Sequence, residues 1–137
     1  MYKNRSQGFT LIELLVVIAI IGVLSAVVLA SLNTARSKGN DAAIMSDLDG
    51  IRTQAQLFYG DNGNAYTGVC SNATVVKQRN GANAANGALL ERCTDSGTAY
   101  AVAAELVSLA GATYCVDSLG NATTTMTAIG SIGTVCS

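Results

Sequence analysis

From Leu14 to Ala35 the chain carries no charged residue. As a helix, those 22 residues would rise about 33 Å, enough to cross a hydrocarbon core of roughly 30 Å. Proline is absent, so nothing in the first half forces a break. A secretory signal peptide also joins a basic region to an apolar one, and the opening "MYKNRSQG" suits either. A signal's apolar part spans only about 7 to 15 residues, however. The run here is longer, although "LSAVVLASL" offers small residues to a signal peptidase. Length favours a retained membrane helix.

The remainder is rich in Gly, Ala, Ser, Thr and Asn. At 137 residues the whole chain amounts to one domain at most. Its formal net charge of −1 lacks the basic excess that usually marks nucleic-acid binding. With no His at all, Ser-His and Cys-His catalysis and His-ligated metals are excluded. No nucleophile with a partner and no carboxylate pair stands out, which argues against an enzyme. A secreted enzyme or binding protein remains the alternative class.

The apolar run begins with one charge, Glu13. A carboxylate near the bilayer centre costs a few kcal/mol, roughly 3 on insertion scales. The basic leader ends in Gly8, and Phe9-Thr10-Leu11-Ile12-Glu13 follows directly. This stretch resembles the type IV pilin family, including the pseudopilins of type II secretion. The resemblance implies cleavage after Gly8 by a prepilin peptidase and an N-terminal, methylated Phe9. It also implies a homo-oligomeric helical filament, assembled by a pilus assembly platform from subunits held in the cytoplasmic membrane. Glu13 would be the assembly residue, paired with a Phe9 amine. Unit charges about 4 Å apart attract by about 4 kcal/mol at an effective dielectric near 20, comparable to the burial cost. An unpaired buried charge would then forbid sliding and fix the register. The alternative is that Glu13 snorkels to the headgroups. Family members often carry a proline in mid-helix; Ala30 stands at that place here, so the helix lacks the break that a proline would make.

Ile44, Leu48, Ile51, Ala55 and Phe58 form one apolar stripe at helical spacing, with Asp41, Asp47, Asp49 and Arg52 mostly off it. "GDNG" at 60–63 is a stop signal. A helix from Phe9 to Phe58 would be about 75 Å long, with Gly39-Asn40 and Gly50 as its expected bends. Residues 61–97 lack periodicity and read as a connecting loop with short pieces at most. Tyr100, Val102, Ala104 and Leu106 alternate as a half-buried strand should. "TYCVDSLGN" reads as a strand and turn, while "TTTMTAIGS" and "GTVCS" supply further strands. The expected fold is α+β, a long N-terminal helix packed on a small C-terminal antiparallel sheet, as in pilins. Its parts are a leader (1–8), a transmembrane and assembly helix (9–32), an outer helix (33–60), and a disulfide-bonded loop and sheet (61–137).

Cys70, Cys93, Cys115 and Cys136 lie 23, 22 and 21 positions apart without a CxxC, which disfavours a zinc site. All four fall on the expected outer, oxidising side of the membrane. Three pairings are open on sequence grounds. The expected one joins chain neighbours, Cys70–Cys93 and Cys115–Cys136, each loop worth about 3 kcal/mol in the chain-entropy model. The second bridge would staple the C-terminus to the sheet, much as in pilins. No metal or cofactor is expected, since Asp61-Asn62-Gly63-Asn64 lacks EF-hand spacing. Sequons at Asn72 and Asn121 read as incidental. Lys77, Arg79 and Arg92 gather in the loop and offer DNA weak support as a partner; a minor pilin in DNA uptake is therefore a further alternative.

Overall fold

The computed structural model describes residues 8–89, 91–126 and 133–136. Helix α1 spans Leu11–Asp61, and a 3-10 turn at Val69–Ser71 leads into helix α2, Ala73–Ala85. Strands β1 (Glu91–Asp95), β2 (Tyr100–Glu105), β3 (Thr113–Asp117) and β4 (Ala122–Thr125) follow. The chain divides into two compact units, Met1–Ala35 and Arg36–Ser137.

In the first unit every large apolar side chain from Phe9 to Leu32 is exposed. Its hydroxyls turn back on the helix instead: Ser31 Oγ donates to Val27 O at 3.0 Å and Thr34 Oγ1 to Ala30 O at 3.3 Å. These two hydroxyls are thus satisfied by the helix's own carbonyls, as an apolar medium demands.

In the second unit, Ile44, Leu48, Ile51 and Ala55 are fully buried and Phe58 packs half-buried beside them. The helix continues through Gly39 and Gly50 and ends within the expected stop, where Asn62 Nδ2 donates to Ala65 O and Thr67 O. One residue read as off the stripe lies on it. Asp41 is buried three positions before Ile44, and its carboxylate accepts from Val107 N at 2.6 Å and from Ser108 N at 3.2 Å. These bonds satisfy the loop after β2 and make burial of the charge tolerable.

The sheet is an antiparallel meander in the order β1-β2-β3-β4. Tyr100, Val102, Ala104, Tyr114 and Val116 face the stripe and complete the main core. Contrary to the half-buried reading, β2 is buried on both faces: Ala101 and Ala103 cluster with Cys115 and Cys136 on the far side. The C-terminal residues lie there, Thr94 Oγ1 donating to Gly133 O. "GTVCS" was read as a strand, but Gly133–Cys136 are not one. They are held by a disulfide and by side-chain bonds rather than by a ladder. Residues 127–131 of "TTTMTAIGS" lie outside the described residues.

The 61–97 stretch is more ordered than a loop reading allows, because it holds the 13-residue α2 as well as β1. Asn72 starts α2 by accepting from Thr74 N and Val75 N. That gives the first sequon asparagine a structural duty. Val75 and Ala82 are the residues α2 buries. Against α1 it fits closely: a methyl group at Gly81 would overlap the Asp47 carboxylate, and one at Gly50 the Gln78 amide.

Candidate functional site

The first candidate is the helix start. Gly8 and Phe9 are exposed, and α1 begins two residues later. Thr10 N and Thr10 Oγ1 both donate to Glu13 Oε2, at 2.8 and 2.7 Å, while Glu13 N donates to Thr10 Oγ1 at 3.3 Å. This is a reciprocal cap, two otherwise orphaned donors satisfied by one pair of side chains. Thr10 was missed as a functional residue, although Thr-x-x-Glu before an apolar run is the signature of such a cap. Phe9 is still joined to Gly8 in this chain, so its nitrogen is an amide. Here the Glu13 carboxylate is occupied by Thr10.

The second candidate comprises the cysteines and what surrounds them. Cys70 is bonded to Cys93 and Cys115 to Cys136, with Cα–Cα distances of 5.8 and 5.7 Å. Asp95 accepts from Cys70 N at 2.9 Å. Asp117 stands beside the other bridge and takes four donors: Leu119 N, Asn121 N, Asn121 Nδ2 and Cys136 N. Burial alone would push its carboxyl up, but these bonds outweigh it and hold the group below the usual aspartate range. One carboxylate therefore builds the β3–β4 turn and ties down the C-terminal residues.

The basic cluster read from Lys77, Arg79 and Arg92 is not three free cations. Arg79 is clamped, its Nε 2.6 Å from Glu91 Oε1 and its Nη1 2.9 Å from Cys70 O. It fastens α2 to β1 and the first disulfide. On α1, Asp49 accepts from the Tyr114 hydroxyl at 3.1 Å and lies 3.7 Å from Arg52 Nη1. Burial, with the Asp49 charge adding to it, raises the Tyr114 phenol. Burial pushes the Tyr100 phenol up to about 12, so it remains a proton donor at neutral pH.

Residues 3–29 match the family model described as the prokaryotic N-terminal methylation motif. The chain is 42% identical over 64 residues to the type IV wide pilus major component PilA4 of Thermus thermophilus, covering 47% of this chain and 48% of that protein. It is 35% identical over 60 residues to the type II secretion system core protein G of Dickeya chrysanthemi, 44% of this chain and 39% of that one. Both matches thus span less than half of the relative's length. Fimbrial protein EcpC of Eikenella corrodens matches more broadly, 32% identical over 125 residues, 81% of this chain and 78% of that protein. No solved structure matches significantly. A methylation motif at the start of a long apolar helix, together with a four-stranded antiparallel sheet, defines the class of filament subunits built around an N-terminal helix. The chain belongs to the type IV pilin and pseudopilin family.

Proposed function

We propose that this chain is a structural subunit of a type IV pilus rather than a catalyst. It is cut after Gly8 by a prepilin peptidase, methylated at Phe9 and polymerised through the helix that follows. In this reading residues 1–8 are the leader, 9–32 the single membrane pass, 33–60 the outer helix and 61–137 the head. One observation carries it: the methylation-motif match at residues 3–29 runs into a helix whose large apolar side chains are exposed all round as far as Leu32. A helix hydrophobic on every side needs an apolar medium. The cytoplasmic membrane supplies one before assembly, and copies of the same helix supply it in the extracellular filament.

Cleavage turns the Phe9 amide into an amine, which Glu13 then pairs with; the two disulfides lock the head in an oxidising compartment. An assembly platform is the remaining partner. DNA is not assigned, because Arg79, central to the basic cluster, is engaged by Glu91. The presence of secretion protein G among the relatives favours a pseudopilin as the second reading. The breadth of the fimbrial match supports the pilus.

The test is processing. Gly8 has no side chain to obstruct a narrow peptidase site at the membrane surface. In Gly8→Leu, mass spectrometry of membranes should find the full-length chain accumulating and no filaments on the cells. Normal cleavage of that variant would refute the proposal.

A further inference from the structure

The loop that joins β2 to β3 belongs to a stretch, Leu106 to Val116, in which no residue is charged. Its tip is Ser108-Leu109-Ala110-Gly111, exposed throughout, with Leu109 53% accessible. The tip is a closed turn. Ala112 N donates to Leu109 O at 3.0 Å and Leu106 N to Ala112 O at 2.9 Å. Gly111 takes a φ of 78° there, which favours a residue without a side chain. Beside it lies Met126, 69% exposed, its Cε 4.0 Å from where a Gly111 Cβ would stand. Single exposed apolar residues are ordinary, but a charge-free tip that shows a Leu and a Met together is a contact surface in waiting.

The place of this tip in the fold says what it meets. Tyr100, at the start of β2, lies beside Arg52, and Val107, just past its end, lies beside Asp41. The strand therefore runs back along α1 towards Arg36, where the second unit begins, and the loop turns at that end. Every described residue up to Arg36 is exposed, and Ser37 and Asn40 are the first to be partly covered. Arg36 and Lys38 are exposed too, the first charges after the run that starts at Leu14. From Arg36 to Asp41 the helix rises about 7.5 Å. The polar layer on each side of a bilayer is roughly 5 to 7.5 Å deep. With the charge-free run in the bilayer, a tip held at Asp41 stands among the headgroups.

We propose that the β2–β3 tip docks on a lipid surface, Leu109 and Met126 dipping into the headgroup–acyl boundary. Arg36 and Lys38 extend into the headgroups at the same level. The proposal rests on the membrane pass put forward above. The loop suits the task because its Val107 and Ser108 amides are already taken by Asp41, so docking strips no water from them. The other end of the sheet supplies the contrast. Leu119 is 72% exposed on the β3–β4 turn, but that turn meets α1 at Arg52, through Gly120 O. Arg52 lies about 16 Å farther along the helix than Asp41, beyond the headgroups. Docking gives the subunit a second hold on the membrane, one that must release when the helix is drawn into a filament.

The test uses the full processed chain in nanodiscs of phosphatidylcholine and phosphatidylglycerol. The chain has no Trp, so Leu24→Trp, Leu109→Trp and Leu119→Trp each carry a single fluorophore. Acyl chains brominated near the glycerol quench an indole at the boundary, and chains brominated near the methyl end quench one at the bilayer centre. The shallow bromines should quench Leu109→Trp about twofold or more, as for a side chain about 5–10 Å into the boundary, and leave Leu119→Trp unchanged. The deep bromines should quench Leu24→Trp. Because Trp itself favours interfaces, the unsubstituted chain gives a second measurement by NMR. A lipid with a paramagnetic headgroup should broaden the Ser108 and Gly111 amides and leave Gly120 sharp, and Leu109→Glu should restore the Gly111 signal. Quenching of Leu24→Trp without quenching of Leu109→Trp, or Gly111 broadened no more than Gly120, overturns the docking and leaves the membrane pass standing. An unquenched Leu24→Trp overturns the pass and the docking with it.

Discussion

Helix α1 solves the same problem twice in different ways. Up to Ala35 it exposes apolar side chains on every face; from Asp41 onward it buries a single stripe against the sheet and α2. Composition accounts for the contrast. Where all sides are Leu, Ile and Val, no one face is preferred and the surroundings must do the covering. Where apolar residues recur only at Ile44, Leu48, Ile51 and Ala55, the chain can cover them itself. The first half is thus a surface awaiting a medium and the second is part of a finished core.

The sharpest break between the two halves should come from Glu13. Removing its carboxylate leaves an unpaired amine in the proposed filament core, while nothing in the second unit depends on it. In Glu13→Ala, sheared-filament yield should collapse although cleaved subunits accumulate in the membrane with an unchanged melting temperature. Wild-type yield would mean that Glu13 merely snorkels.

Next, the same substitution can be made in both halves. Leu48→Ala opens a cavity in the main core and should cost about 3 kcal/mol, lowering the melting point by more than about 10 °C. Leu24→Ala should change the stability of that unit by less than about 0.5 kcal/mol. Calorimetry in detergent compares them directly, and equal effects would erase the distinction drawn here.

Acid should weaken the second unit through Asp117. The Asp117 carboxyl is held lower in the folded chain than in the unfolded one. Its contribution is therefore complete above the unfolded value of about 3.9, and it is lost as pH falls through the lower folded value. Denaturant midpoints should drop as the pH is taken from about 5 to below 4. Asp117→Ala should remove part of that slope and cost about 2 kcal/mol at neutral pH through lost charged hydrogen bonds. The smallest effect belongs to the α2 cap: Asn72→Ala should cost about 1 kcal/mol, seen as earlier hydrogen exchange at Thr74 and Val75.

The long helix and the antiparallel sheet were legible because each repeats a pattern over many residues. The Phe9–Glu13 motif was legible because it is a contiguous string. Asp41 was misplaced because its charge was weighed above its position, three before Ile44 on the very stripe already found. Helix α2 was hidden by composition. It buries little beyond Val75 and Ala82, and is held by Asn72, Arg79 and the Gly81 contact, none of which produces a periodic signal. The far face of β2 was read as exposed because alternation was assumed to mean polar outside, yet Ala101 and Ala103 are apolar too. The bond from Arg52 to Gly120 O had no linear signal at all, since the two meet only through the fold.

Asp41 also has a mechanical meaning. It is the first buried residue of α1, and its carboxylate grips the Val107 and Ser108 amides across 66 and 67 positions of chain. A load carried by the helix would pass to the loop after β2 through these two amides, held by one carboxylate at the point where α1 enters the core. The side chain that looks like a flaw in the apolar stripe is a rivet.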